Sequence, residues 1–312
     1  MLETLLKKLV GVILILIGVT FLAFLLAYFS PSDPAAVLLN QSGISPTEEQ
    51  LQEKRHEMGL DKPFLVQYGT WLENLLKGDM GDSYKSGKPV TESFVKAIPK
   101  TLALTAFSLF LTMLISIPLG LGCARHKDGL FDNIVRIITY LFASLPSFFV
   151  ALLALYFFAI HFHWFNVIAE NNFSGMIMPA LVLALSLCAW YTRQVRAIAL
   201  EQMSAGYIVG LRARGVSERA IFTKHILKNS MVPIVTLMGL SFGSLLGGTA
   251  IVEMIFSWPG VGRLAVEAVN FRDYPVIQAY AVWMSAAFLI VNYLVEIIYR
   301  IVDPRIKRGK SV

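Results

Sequence analysis

Charge is scarce in this chain. Only 15% of its 312 residues are Asp, Glu, Lys or Arg, against roughly 25% in ordinary soluble domains. That shortage removes the solvated surface that a water-soluble protein of this length needs. Cysteine is nearly missing too. The two present, Cys123 and Cys188, lie inside apolar runs with no C-x-x-C, which argues against a disulfide framework or a cysteine metal site. Ionisable residues are also absent from the middle of the apolar runs. Arg136, Arg193, Glu253 and Glu296 fall in the end turns of theirs. Ion-coupled transporters place carboxylates or histidines near the bilayer midplane, so this chain lacks ion-coupling machinery of its own and its energy source lies elsewhere.

What is abundant is apolar length. The chain is 56% hydrophobic with a mean hydropathy of +0.63. Several runs reach the roughly 20 residues that cross a bilayer. The pattern predicts an all-α, polytopic membrane protein with six transmembrane helices, at about 9–30, 101–123, 134–160, 177–197, 231–254 and 276–300. Residues 1–30 form a first, uncleaved span, because the apolar stretch is too long for a signal peptide and no A-x-A site follows. Residues 31–100 form a helical segment outside the membrane, and 101–312 a five-helix core.

The net charge of +6 does not indicate nucleic acid, because the basic residues sit in short segments beside apolar runs. Residues 124–136 carry Arg125, Lys127 and Arg136, residues 193–228 carry seven Lys/Arg, and the tail from Arg300 carries five. The alternate loop 161–176 has none. The positive-inside rule therefore expects both termini and the basic loops in the cytoplasm. Segment 31–100 then falls outside. In it, Ser45 as N-cap, Pro46 and Glu48 suggest a helix that stops at Gly59. Leu65, Tyr68, Leu72, Leu75 and Leu76 suggest an amphipathic second one. Such a segment is either a cap on the membrane surface or a platform for an outside partner.

Three motif-like stretches are weaker than they look. "GLSFG" at 239–243 fits G-x-S-x-G but lies mid-span with no histidine at its depth. The same stretch belongs to Gly239, Gly243 and Gly247, a four-residue small-xxx-small spacing that allows close helix packing. "GDSYKSGKP" at 81–89 has the wrong glycine spacing for a phosphate loop. His161 and His163 form either a transient metal contact or ordinary interfacial histidines. No cofactor site is expected in this chain. Among small polar residues, Ser144, Pro146, Ser147, Ser241 and Ser244 fall at mid-depth. Pro146 frees a backbone carbonyl, which suits either a pathway lining or a plain kink.

The stretch 198–229 is the most informative. Residues 205–213 favour a short helix, Gly215 allows a left-handed turn, and Ser217 can cap a second helix whose first turn carries Glu218. Topology alone needs a few charges, not a capped hairpin. "YIVGLRARGVSERAIFTKHILKNSMVPIV" resembles the coupling loop of ABC-importer permease subunits, in the dipeptide/oligopeptide/nickel group, although the leading Glu-Ala-Ala of the commoner form is absent. "GLDKPFLVQYGTWL", "GDMGDSY", "GGTAIVEMIFSWPGVGRLAVEAVNFRDYPVIQAY" and "DPRIKRG" extend the resemblance along the whole chain. It implies a permease embedded in membrane lipid that works with a homologous second permease, two ATP-binding subunits that hold the ATP, and an external solute-binding protein. Arg212, Ala213, Arg214, Gly215, Ser217 and Glu218 would sit in a cleft on an ATPase subunit. "ARHKDGL", "HILKN" and "GGTAIVE" resemble the nickel-import permeases most, so nickel or a nickel chelate is the expected substrate, with di- or oligopeptides as the alternative. A stand-alone secondary transporter or channel is the rival class, and a membrane-embedded protease a further one.

Overall fold

The computed structural model describes residues 2–29, 33–40 and 46–302. They form thirteen helices: α1 (Leu2–Tyr28), α2 (Pro34–Asn40), α3 (Glu48–Glu57), α4 (Phe64–Leu76), α5 (Val90–Arg125), α6 (Leu130–Ser144), α7 (Ser147–Ala154), α8 (Phe173–Ser204), α9 (Gly206–Ala213), α10 (Glu218–Ala220), α11 (Leu227–Ile255), α12 (Val261–Phe271) and α13 (Tyr274–Val302). Wider π-helical turns extend α7 through Leu155–His161 and join α10 to α11 through Ile221–Ile226. Among the described residues there is no β-strand, only an isolated bridge between Asp82 and Pro89. Among the described residues, five segments are long and apolar enough to cross a membrane, and six if α6 and α7 with its extension count as one.

The third span, expected over about 134–160 with its backbone ladder broken at Pro146, is two helices. Its two halves, Leu130–Ser144 and Ser147–His161, bend by 101°. Pro146 has no N–H to donate and biases Leu145 away from helical ψ; Leu145 adopts ψ 129. α5 departs in length. At 36 residues and 1.5 Å per residue it measures about 54 Å, well beyond a bilayer core of about 30 Å.

The chain divides into two compact units, Met1–Thr101 with Pro259–Leu289, and Leu102–Trp258 with Ile290–Val312. In the first unit, α4 packs on α1 through rings: Phe21, Phe24 and Tyr28 meet Phe64, Tyr68 and Trp71 at centroid separations from 5.0 Å for Tyr28–Phe64 to 5.7 Å for Phe24–Trp71. Of the expected apolar face of α4, Tyr68, Leu72 and Leu75 are half-buried and two residues are exposed. Leu65 is 70% exposed and Leu76 81%. α3 begins at Glu48, capped by Thr47 in a reciprocal box with Gln50. The expected cap at Ser45 lies outside the described residues, and Glu48 opens the helix instead of closing a box. Gly59 does stop this helix, at φ +67.

A second knot in this unit comes from residues far apart in sequence. Val90, Phe94 and Ala97 pack with Val261, Ala268, Val276 and Ala279. Beside them the buried Asp273 carboxylate accepts from the Ser83 hydroxyl (2.6 Å) and the backbone N–H groups of Tyr84 (3.0 Å) and Lys85 (3.2 Å). Lys85 reaches Glu267 at 2.7 Å, and Arg263 reaches it at 2.8 Å. Burial alone would push the Glu267 carboxyl up, but these two hydrogen-bonded cations hold it below the ordinary carboxylate value. The 79–89 turn is thus tied to the start of α13.

In the second unit, α8 is the central helix, and α6, α7 and α11 pack on it. The facing side of α5 is a line of hydroxyls, Thr105, Ser108, Thr112 and Ser116, all fully buried. Ser108, Thr112 and Ser116 bond back to carbonyls one turn earlier, so small polar side chains satisfy themselves and let neighbours approach. The tightest approach is at Gly120, where a Cβ would stand 2.6 Å from Val195 Cβ and 2.7 Å from the Thr192 carbonyl. Nothing in the sequence spacing marked that glycine.

Candidate functional site

The 198–229 hairpin is built from its buried side outward. Ile208 is fully buried with Ile221, Ile226, Val195 and Ala199 at the ends of α8 and α11, and Leu211 and Val216 lean on the same cluster. Tyr207 pins α9 sideways: its hydroxyl bonds Gln202 at 3.1 Å and accepts from Asn229 at 3.0 Å. The end of α9 is a Schellman closure. The Val216 N–H donates to the Leu211 carbonyl (3.1 Å) and the Gly215 N–H to the Arg212 carbonyl (2.9 Å), with Gly215 at φ +74. Leu211 and Val216 supply the apolar contact that accompanies this motif.

Beyond the turn, the Ser217 hydroxyl accepts from the Ala220 N–H at 3.4 Å, capping α10. Across it, the Arg212 guanidinium holds both oxygens of Glu218, at 2.6 and 3.2 Å. The carboxylate raises the Arg212 pKa further. A two-pronged Arg–carboxylate contact fixes orientation as well as distance. The result is a rigid elbow that leaves Gly206, Val209, Gly210, Arg212, Ala213 and Arg214 exposed. A Cβ at Gly206 or Gly210 would touch nothing within 4 Å, so this face of α9 is open for another backbone to come close.

An ion pair invisible to local pattern supports the elbow. Asp132 at the start of α6 is fully buried, and Arg196 near the end of α8 grips its two oxygens at 2.7 and 2.6 Å. The Asp128 N–H adds a third bond at 2.9 Å. The pair fixes the stem of α8 from which the hairpin hangs.

The mid-depth polar residues are dispersed. Ser144 and Pro146 are exposed and Ser147 is half-buried at the α6–α7 break, and the Ser144 hydroxyl bonds its own helix at the Leu141 carbonyl. Ser241 bonds the Tyr191 hydroxyl, which also donates to the Leu237 carbonyl at 3.0 Å. The Ser244 side chain lies outside the described residues. The three spaced glycines of α11 have different surroundings. A Cβ at Gly239 would stand 2.7 Å from Val295 Cγ2 of α13, Gly243 is buried, and Gly247 is exposed. The close contact at Gly239 is within this chain. We expect Gly239→Val to lower the thermal stability of the purified protein, and Val295→Ala to restore most of it. Additive losses in the double variant would place the strain elsewhere. His161 and His163 are exposed, His163 at φ +56, and among the described residues no three His, Cys, Asp or Glu side chains are grouped to hold a metal ion.

Comparison with known proteins matches this architecture. Residues 116–308 match the family model described as the binding-protein-dependent transport system inner membrane component, and residues 1–105 match the N-terminal model of the same system. The chain is 34% identical over 307 residues to the glutathione transport system permease protein GsiC of Salmonella choleraesuis (strain SC-B67), covering 98% of this chain and 99% of that one. It is 36% identical over 310 residues to a putative peptide transport system permease of Brucella abortus (strain 2308), covering 97% and 98%. Among solved structures, inward-facing MetNI methionine ABC transporter matches with a TM-score of 0.58 at 18% identity, over 68% of this chain and 96% of that chain. An amino acid ABC transporter with histidines matches at 0.53 and 21%, over 67% and 94%. This chain belongs to the family of binding-protein-dependent transport inner membrane components: it is a multi-pass inner-membrane permease of an ABC importer. Members of that family work with ATP-binding subunits and substrate-binding proteins, and the permease itself is a transport component rather than an enzyme.

Proposed function

We propose that this permease forms half of the pathway of an importer for short peptides, with the 198–229 hairpin as its coupling element. The observation that carries the coupling role is the elbow. Ile208 anchors α9, the Gly215 closure and the Arg212–Glu218 clamp fix its direction, and small residues stay exposed on its outer face. A lever needs that combination, because a displacement of its tip must reach the transmembrane stem undamped. Arg212, Ala213, Arg214, Gly215, Ser217 and Glu218 then meet an ATP-binding subunit. The full assembly has a homologous second permease, two ATP-binding subunits holding the ATP, and an external solute-binding protein, while this chain binds no cofactor. Ser144, Pro146, Ser147, Ser241 and Ser244 are proposed to line the pathway.

For substrate, the two relatives named above are a glutathione permease and a putative peptide permease, which favours a peptide over the nickel expected from the sequence motifs. In a deletion strain, uptake of labelled di- and tripeptides should fall and return with the gene. Lost nickel uptake with unchanged peptide uptake would overturn the assignment and restore nickel. The orientation proposed from the basic loops has its own test. The two native cysteines are buried, so background labelling is low. Ser86→Cys, on an exposed turn residue, should react with an impermeant thiol reagent in intact cells. Ser217→Cys should react only after permeabilisation.

A further inference from the structure

The first unit contains a cavity of about 740 Å³ that the coupling and pathway assignments leave unused. Small-molecule sites run from about 300 to 1,000 Å³, so it has room for a ligand of peptide size. Its walls are aromatic, with Phe24 and Tyr28 from α1, Trp71 from α4, and Tyr84 and Tyr274. Some of the polar side chains on its rim are already engaged. Arg55 is bound to Asp33 at 2.7 Å, and His56 to Asp61 at 2.8 Å.

Three amide side chains line it, Gln67, Asn74 and Gln278; Gln67 already donates to the Leu60 and Lys62 carbonyls, which leaves Asn74 and Gln278. Gln278 is only 6% exposed, and its amide has no hydrogen-bond partner among the described residues. Its amide lines the cavity and is not sealed away from it, so a ligand there can pair with it. The amide is both donor and acceptor. Its natural complement is therefore another amide, and aromatic walls complement planar peptide groups and apolar side chains.

We propose that this cavity is a binding site for a short peptide, read through its backbone amide by Gln278 and Asn74 and held between the rings of Trp71 and Tyr84. The site is separate from the pathway residues, and it rests on the peptide reading above only for the choice of ligand. The purified full-length chain in lipid nanodiscs, without a solute-binding protein, tests it by calorimetric titration with the dipeptide Ala-Phe and with its N-acetylated, C-amidated form. Both should bind saturably, because the recognised group is the amide and not the termini. Gln278→Leu keeps the bulk and removes the amide, and should raise Kd about five- to tenfold, the loss expected for one hydrogen bond. Asn74→Leu should raise it in the same direction, and the thermal midpoints of both variants should match wild type. Wild-type Kd in both variants, or no saturable binding of either dipeptide, overturns the site. Peptide uptake by cells reads the importer assignment separately. Uptake together with an empty cavity would keep the importer and discard only this site.

Discussion

Gly215→Val is expected to abolish substrate uptake while the protein still inserts, folds and accumulates at wild-type levels. The reason is conformational. Gly215 sits at φ +74 and a Cβ there meets nothing within 4 Å, so no clash is introduced and every charge stays in place. The cost is the backbone, because a β-branched residue in the left-handed region loses on the order of 1–2 kcal/mol. The closure relieves that strain by opening the Val216–Leu211 and Gly215–Arg212 bonds. Once these break, Arg212 and Glu218 no longer face each other and α9 loses its fixed direction. Its ATP-binding partners should detach more readily, or hydrolyse ATP without responding to the loaded binding protein. Gly215→Asn separates strain from mere substitution, since asparagine tolerates positive φ and should keep much of the uptake. Wild-type uptake by Gly215→Val would reduce the stretch to a charged loop.

Asp132→Ala should be the most damaging single change to stability in the second unit. It leaves the Arg196 guanidinium 18% exposed with its main partner gone. Unpairing a buried charge costs about 3–5 kcal/mol, and the lower end applies here because Arg196 keeps some contact with solvent. Abundance in the membrane and the thermal midpoint should both fall. The double variant Asp132→Leu with Arg196→Met removes both charges at similar volume and should recover most of the loss. If Asp132→Ala alone behaves as wild type, the α6–α8 stem does not depend on this pair. If the double variant recovers stability but not uptake, the pair also acts in transport.

The contrast between these two sites shows what the sequence could and could not reveal. The turn at Gly215 was legible because its signals are local: a glycine, a capping serine and a first-turn glutamate within four residues. The Arg212–Glu218 clamp was not, since a six-residue separation across a turn follows no helical period. Asp132 and Arg196 are 64 residues apart, and Ser83 and Asp273 are 190 apart; no periodicity links such partners. The α3 start moved two residues because Thr47 and Gln50 form an equivalent cap to the one read at Ser45. On α4 the leucine pattern finds Tyr68, Leu72 and Leu75 on the covered side but not that Leu65 and Leu76 stay exposed, because rings on α1 select the strip that is covered. Pro146 announces a break in backbone bonding, but the size of the resulting bend depends on what α8 and α11 offer the second half to pack on.

The bend at Pro146 also bears on the parity of the crossings. Each half, 15 residues long, covers about 22 Å at helical rise, too short to cross about 30 Å of hydrocarbon alone. Taken as a hairpin that dips in and returns, the pair would leave an odd number of crossings and put the chain's two ends on opposite faces. The seven Lys/Arg of 193–228 would then lie across the bilayer from Arg125, Lys127 and Arg136, against the electrostatic bias that orients such chains. Counted as one oblique traverse, it would return every basic segment to one face, as the proposed orientation requires. An insertion machinery that releases helices one at a time into lipid would then meet two half-length pieces that become stable only as a couple, so this segment is the step at which integration of the chain is expected to wait for its neighbours.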